Sequence, residues 1–322
     1  MKVCLIGGSG RSGTNIMKEL LSLNSKSKTL PFEHRFTIDP KGIVDCYNSL
    51  LYTWSPYFTD AKIEELRDYL LGLNKRDFLK YKFSLIIKTL DSSGKKLTPF
   101  PYSGWEMNKW FNNYQKHVNN LISDLVDFEF EGYWPGKKAL QRNSSIKFSC
   151  YKGKDELKKI FNSFFRNLIK DFLEDKEVFV EDNTWNILYA EELLDLVPNS
   201  KIIHMIRDPR DVVASFMNQR WAPNNLKDTI LWYKSIIDKW FDVYDEIGHN
   251  RVRIVKLEDL IEDTEEVLKD VCSFLEIDFE EEMLDKDLSK GHSGRWKKEF
   301  DVKERKYLNN QLKDYIKRLE YV

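Results

Sequence analysis

With 322 residues, 42% of them hydrophobic and 14% aromatic, the chain can bury a large core as one domain. Its formal net charge of −1 removes any global electrostatic reason to expect nucleic acid as partner, so an anion site has to be local. Cys4, Cys46, Cys150 and Cys272 have neither metal-ligand nor framework spacing, no charged-plus-apolar leader opens the chain, and no apolar run reaches the roughly 18 residues of a membrane span. The expectation is a cytoplasmic protein with free thiols and no integral membrane segment.

The apolar run Val3-Cys4-Leu5-Ile6 leads into Gly7-Gly8-Ser9-Gly10-Arg11-Ser12-Gly13-Thr14-Asn15 and then into Ile16-Met17-Lys18-Glu19-Leu20-Leu21. This pattern predicts a strand, an anion-binding loop and a helix whose N-terminal N–H groups and dipole favour phosphate or sulfate. Gly8-x-Gly10-x-x-Gly13 also satisfies the dinucleotide pattern, but the acid in range, Glu33, follows the polar, Pro-interrupted stretch 25–32, a poor parallel strand. The Walker spacing fits Gly8 to Gly13 and then places Thr14-Asn15 where Lys-Ser/Thr would stand. An ATPase or GTPase thereby loses its γ-phosphate lysine, and the loop's own cation is Arg11.

Residues 24–60, punctuated by Pro31, Pro40 and Pro56, read as irregular. Helical periodicity marks 61–73 and 105–130, with Gly/Pro/Ser-bearing connections at 92–104 and 131–145, so that roughly 40–150 forms a helical, aromatic-rich insertion within a single domain, 1–322. Beyond it come an amphipathic helix at 155–173, the short strand Val178-Phe179-Val180, a helix at 186–196 and a buried strand at 201–206. Helices at 210–219 and 226–247, a strand at 252–257 and a helix at 264–275 follow. The alternation predicts an α/β fold, a central parallel sheet with helices on both faces. Ligands of such sheets lie beyond the carboxyl ends of strands, which directs attention to Gly7–Asn15, Glu181–Thr184 and Arg207–Asp211. Arg207 and Ser215, brought near each other by a bend at Pro209, can clamp a terminal phosphate; the alternative is a surface pairing of Arg207 with Asp208 or Asp211.

Together these segments resemble the sulfotransferases that use 3'-phosphoadenosine 5'-phosphosulfate (PAPS) as donor. Gly10-Arg11-Ser12-Gly13-Thr14 looks like the family's 5'-phosphosulfate loop. Arg207-Asp208-Pro209-Arg210-Asp211-Val212-Val213-Ala214-Ser215 looks like its 3'-phosphate segment. Lys290-Gly291-His292-Ser293-Gly294-Arg295-Trp296-Lys297 is similar to the stretch that closes on the 3'-phosphate and adenine. The resemblance covers 1–37 and 176–300, and its Arg-bearing loop is similar to that of carbohydrate and tyrosylprotein sulfotransferases.

The resemblance implies a P-loop-like sulfotransferase architecture with a helical lid insertion. It also implies in-line transfer of a sulfuryl group to an acceptor hydroxyl, leaving the product PAP, with no metal. Gly10, Arg11, Ser12, Gly13, Thr14, Asn15, Arg207, Ser215, Lys290, Gly291 and Trp296 would then bind the donor. Arg11 would meet the charge that builds on the bridging oxygen. Glu33 would be the base, with His34 as the alternative. Many relatives carry a Lys-Thr-Pro or Lys-Thr-His stretch where this chain has Asn183-Thr184-Trp185, which leaves open whether Asn183 or Thr184 only positions a ligand. Trp105, Trp110, Tyr133 and Trp134, with Trp54, Tyr57, Lys137, Lys138 and Arg142, mark the insertion as the acceptor region, although such rings also build cores. A glycan or glycolipid hydroxyl is favoured as acceptor over a tyrosine or small alcohol. Two other functions fit the loop alone, a kinase-like ATP-dependent phosphotransferase and a non-catalytic nucleotide-binding module.

Overall fold

The computed structural model describes residues 1–74, 105–134, 144–288 and 293–321. They form two compact units, Met1–His34 with Asp175–Val322, and Arg35–Glu174. The first unit opens with strand β1 (Lys2–Gly8), buried from Val3 onward, and helix α1 (Thr14–Ser22). Thr14, Met17, Leu20 and Leu21 recur at helical spacing and make the buried face of α1. A three-residue strand follows, β2 (Ser27–Thr29), parallel to a later strand. The expectation that 25–32 forms no parallel strand is therefore corrected. An edge strand this short pairs through its backbone, and Lys28 and Thr29 keep part of their side chains in solvent.

In the second unit, helices α2 (Ile43–Tyr52) and α3 (Pro56–Asn74) take up 43–52 and 56–60 of the stretch expected to be irregular at 24–60. Pro56 begins α3, where its missing N–H leaves no helical bond unmade. Helix α4 (Tyr114–Leu125) is followed by an antiparallel ribbon of β3 (Phe128–Gly132) and β4 (Ser144–Phe148), so the helix expected through residue 130 ends early. The ribbon is tied to α3 by Asp60, whose carboxylate accepts from Trp134 Nε1 at 3.2 Å and Lys147 N at 2.9 Å. Helix α5 (Lys154–Leu173) packs a row of Phe161, Phe164, Phe165 and Phe172 inward. Lys137, Lys138 and Arg142 lie outside the described residues.

The first unit resumes with β5 (Val178–Asp182), a 3-10 turn (Thr184–Tyr189) and α6 (Ala190–Leu196). It continues with β6 (Ser200–Ile206), α7 (Pro209–Phe216), α8 (Leu226–Glu246), β7 (Val252–Lys256), α9 (Leu257–Glu262) and α10 (Thr264–Leu275). The last long helix is α11 (Val302–Arg318). The sheet is parallel throughout, in the order β2-β5-β1-β6-β7. On one face Cys4, Ile6, Val180, Ile203 and Met205 pack with Met17, Leu20, Leu268 and Val271 of the helices. On the other, His204 lies edge-on to Trp240 of α8, ring centroids 4.3 Å apart. Helices thus cover both faces, as the alternating pattern predicts. Because β5 and β6 flank β1, the three strand ends singled out in the sequence are neighbours. Among the described residues no helix is long and apolar enough to cross a membrane.

Candidate active site

The loop after β1 owes its shape to residues with positive φ: Gly10 at 90°, Arg11 at 59° and Gly13 at 97°. Gly13 caps α1, and a Cβ there would stand 2.7 Å from Leu257 Cδ1. Only glycine fits both the dihedral and the space. Arg11 takes a left-handed conformation that ordinary residues avoid, and such strain concentrates at binding sites. The turn keeps the N–H groups ahead of α1 free of helical partners, the arrangement that receives anions.

Five strands later than β1 in sequence but adjacent to it in the sheet, β6 delivers Arg207. Asp208 accepts from Arg210 N at 2.9 Å and caps α7, with Pro209 as the first helical residue. Ser215, one residue from the end of α7, is buried. Arg11 Nε donates to Ser215 Oγ at 3.0 Å, while Arg207 Nη1 donates to the Arg11 carbonyl at 3.2 Å. Arg11, Arg207 and Ser215, spread over 204 residues of sequence, thus form one connected corner. Arg207 pairs with Asp211 at 3.6 Å, but inside the fold rather than on a solvated surface.

Charge accumulates at this corner. The Arg11 guanidinium is held below its usual pKa, first by partial desolvation and then by the charges of Arg207 and Arg295. Its hydrogen-bond partner is a neutral hydroxyl. Cations brought together in this way favour an added anion. Thr14 is buried and Asn15 exposed at the start of α1. Trp296 is buried, and the Arg210 guanidinium stacks 4.5 Å above its ring. Lys290 and Gly291 lie outside the described residues.

The end of β5 is a buried polar cluster. Asp182 pairs with Lys18 at 2.7 Å, and Glu181 accepts from Asn186 Nδ2 at 2.5 Å. Burial, then Asp182 and Glu33, push the Glu181 carboxyl well above the usual range, more than its Asn186 bond and Lys18 hold it down. Asn183 N donates to the Ile6 carbonyl at 3.1 Å, its side chain accepts from Trp185 N at 3.2 Å, and its Nδ2 reaches the His34 carbonyl at 3.4 Å. Asn183 therefore ties the end of β1 to the backbone that carries Glu33.

Glu33 is half-buried and close enough to Glu181 to raise its pKa. His34 is a different case. Its ring is buried, stacks on Phe179 with centroids 5.9 Å apart, and stands 3.8 Å from Glu181. Burial, aided by Lys18, lowers its pKa to about 3. A ring this enclosed is less well placed than Glu33 to take a proton from an acceptor.

Sequence reasoning named Asp211 only as a surface partner for Arg207 and missed its bonds to Gly294 N and Trp296 N, Arg295 as a source of charge at the loop, and a ring cluster beside it. Phe216 lies against Gly10, with Trp221 at 5.5 Å and Trp185 beyond Trp221 at 6.5 Å. The Thr184 methyl lies along the same glycine. Aromatic density in Trp185-x-x-x-Tyr189 and Phe216 to Trp221 was the available signal.

Residues 89–281, more than half of the chain, match the sequence profile described as the Sulfotransferase family. The chain belongs to the sulfotransferase family. This sulfotransferase is similar in structure to the sulfotransferase domain from the Synechococcus PCC 7002 olefin synthase, with 17% identity, a TM-score of 0.46, and coverage of 92% of this chain and 82% of that one. The sulfotransferase domain from the curacin biosynthetic pathway gives 15%, 0.47, and 97% of both chains. Retinol dehydratase in complex with androsterone and inactive cofactor PAP gives 15%, 0.38, 98% and 82%. No curated protein sequence matches significantly.

Proposed function

We propose that this sulfotransferase draws its sulfuryl group from PAPS and passes it in line to an acceptor hydroxyl, a glycan or glycolipid being favoured over a tyrosine or small alcohol. The observation that supports this most is the Arg11–Ser215–Arg207 corner. A donor anionic at both ends of its ribose would be gripped by the α1 loop at one end and by Arg207 and Ser215 at the other. ATP, with a free 3'-hydroxyl, would leave that second cationic group without an anion, and the loop has no lysine at the Walker position. Ser12 Oγ, buried with no hydrogen-bond partner among the described residues, is a further donor within the loop. Gly10, Gly13, Thr14 and Asn15 would present backbone and side-chain donors, and Trp296 would close the nucleotide side.

Sulfuryl transfer asks little covalent work of a protein and much positioning. Arg11 would neutralise charge on the bridging oxygen as its bond to sulfur breaks and the electron pair leaves with PAP. Glu33 would take the proton of the attacking hydroxyl. We assign choice of acceptor to the unit Arg35–Glu174, where Tyr57 and Trp134 stack at 5.0 Å. The test is transfer of radiolabelled sulfate from PAPS onto glycan, lipid and peptide mixtures. Labelled glycan or lipid supports the reading; label confined to peptide overturns the acceptor, and no PAPS-dependent label in any mixture overturns the donor.

A further inference from the structure

We propose that Asp211 is a positioning residue that sets the Arg207 guanidinium for the donor's 3'-phosphate by joining it to the C-terminal turn Gly294–Trp296. The inference rests on the two-anion grip proposed above. Asp211 lies in the first turn of α7, four residues after Arg207, and its carboxylate is fully buried. Its two oxygens serve three partners from distant places. Oδ2 accepts from Gly294 N at 2.7 Å and stands 3.6 Å from Arg207 Nη2, while Oδ1 accepts from Trp296 N at 2.9 Å. The turn is shaped for this contact: Gly294 has φ 73°, and Trp296 is fixed from its other side by Arg210.

A buried carboxylate is expensive unless several donors satisfy it, and here one donor group is the cation assigned to the ligand. Two backbone N–H bonds hold the carboxylate still. Arg207 is thereby aimed from one side while its Nη1 meets the Arg11 carbonyl on the other. Arg207 is thus held between the loop that would take the 5' end and the hub on α7.

Asp211→Asn keeps the shape but puts an amide N–H where an acceptor is needed, facing either a backbone N–H or Arg207. The experiment is calorimetric titration of adenosine 3',5'-bisphosphate and of adenosine 5'-monophosphate. Wild type should prefer the bisphosphate by about tenfold or more, the worth of charge-assisted bonds. Asp211→Asn should lose at least about tenfold of that preference while monophosphate affinity moves less than about threefold. Gly294→Ala, which strains the turn from the other end without touching the core, should lose about fivefold of it, and carries the test if Asp211→Asn does not fold. A purely structural role would weaken both nucleotides alike. Preference intact in the folded variants overturns the inference alone, and absence of preference in wild type overturns the two-anion reading together with it.

Discussion

His204 makes the stability of this enzyme fall in acid, by an amount the structure sets. Its ring is fully buried on β6 against Trp240, and neither ring nitrogen has a hydrogen-bond partner among the described residues. Burial lowers its pKa to about 3 from the usual 6.5. The folded state keeps the ring neutral, whereas the unfolded chain protonates it once the pH drops below 6.5. Its contribution is therefore fully present above pH 6.5 and is lost progressively as the pH falls from 6.5 toward about 3. At about pH 5 the loss is 1.5 pH units times 1.36, or about 2 kcal/mol, against a typical total of about 5–15. His204→Met keeps the volume and removes the titrating nitrogens. Urea unfolding of both proteins at about pH 7.5 and pH 5 isolates the effect, because His34 and Glu181 titrate in both. Wild type should lose about 2 kcal/mol more than the variant on acidification. Parallel losses would show that the ring is hydrated or partnered, and would refute the reasoning.

Arg11→Ala should lower kcat by about two to three orders of magnitude, the usual cost of removing a group that meets developing charge; single-turnover rates measured with saturating PAPS check it. Glu33→Gln should abolish most turnover and remove the acidic limb of the pH–rate profile, whereas His34→Gln should keep that limb, because the buried ring is neutral down to about pH 3. An unchanged rate in Glu33→Gln removes Glu33 from the base role. Ellman's reagent should titrate one thiol quickly in the folded protein and all four after unfolding. Cys150 is exposed, whereas Cys4, Cys46 and Cys272 are buried, with burial pushing the Cys272 pKa up to about 11 and those of the other two higher still.

The features legible in the sequence were those whose chemistry is local. Four glycines and a cation within seven residues specify the loop, and Pro209 with Asp208 specifies the start of α7, so Arg207 and Ser215 fall on one short segment. The strand β2 had no such signal, since its three residues pair through their backbone. The ribbon did have one: Phe128-Glu129-Phe130-Glu131 alternates with period two, but a window of helical periodicity absorbed it. His34 reads as an available imidazole because nothing adjacent announces that Phe179 and Glu181 will enclose it. The backbone bonds of Asp211 were hidden for a related reason. Its partners Gly294 and Trp296 are 83 and 85 residues away, and only the fold brings them to one carboxylate.

Competition calorimetry among adenosine 3',5'-bisphosphate, ATP and NAD bears most directly on the two-anion grip. The bisphosphate should bind about tenfold or more tightly than either competitor, because it alone gives anions to both the α1 loop and the Arg207–Ser215 corner. Tighter binding of ATP or NAD would contradict the account.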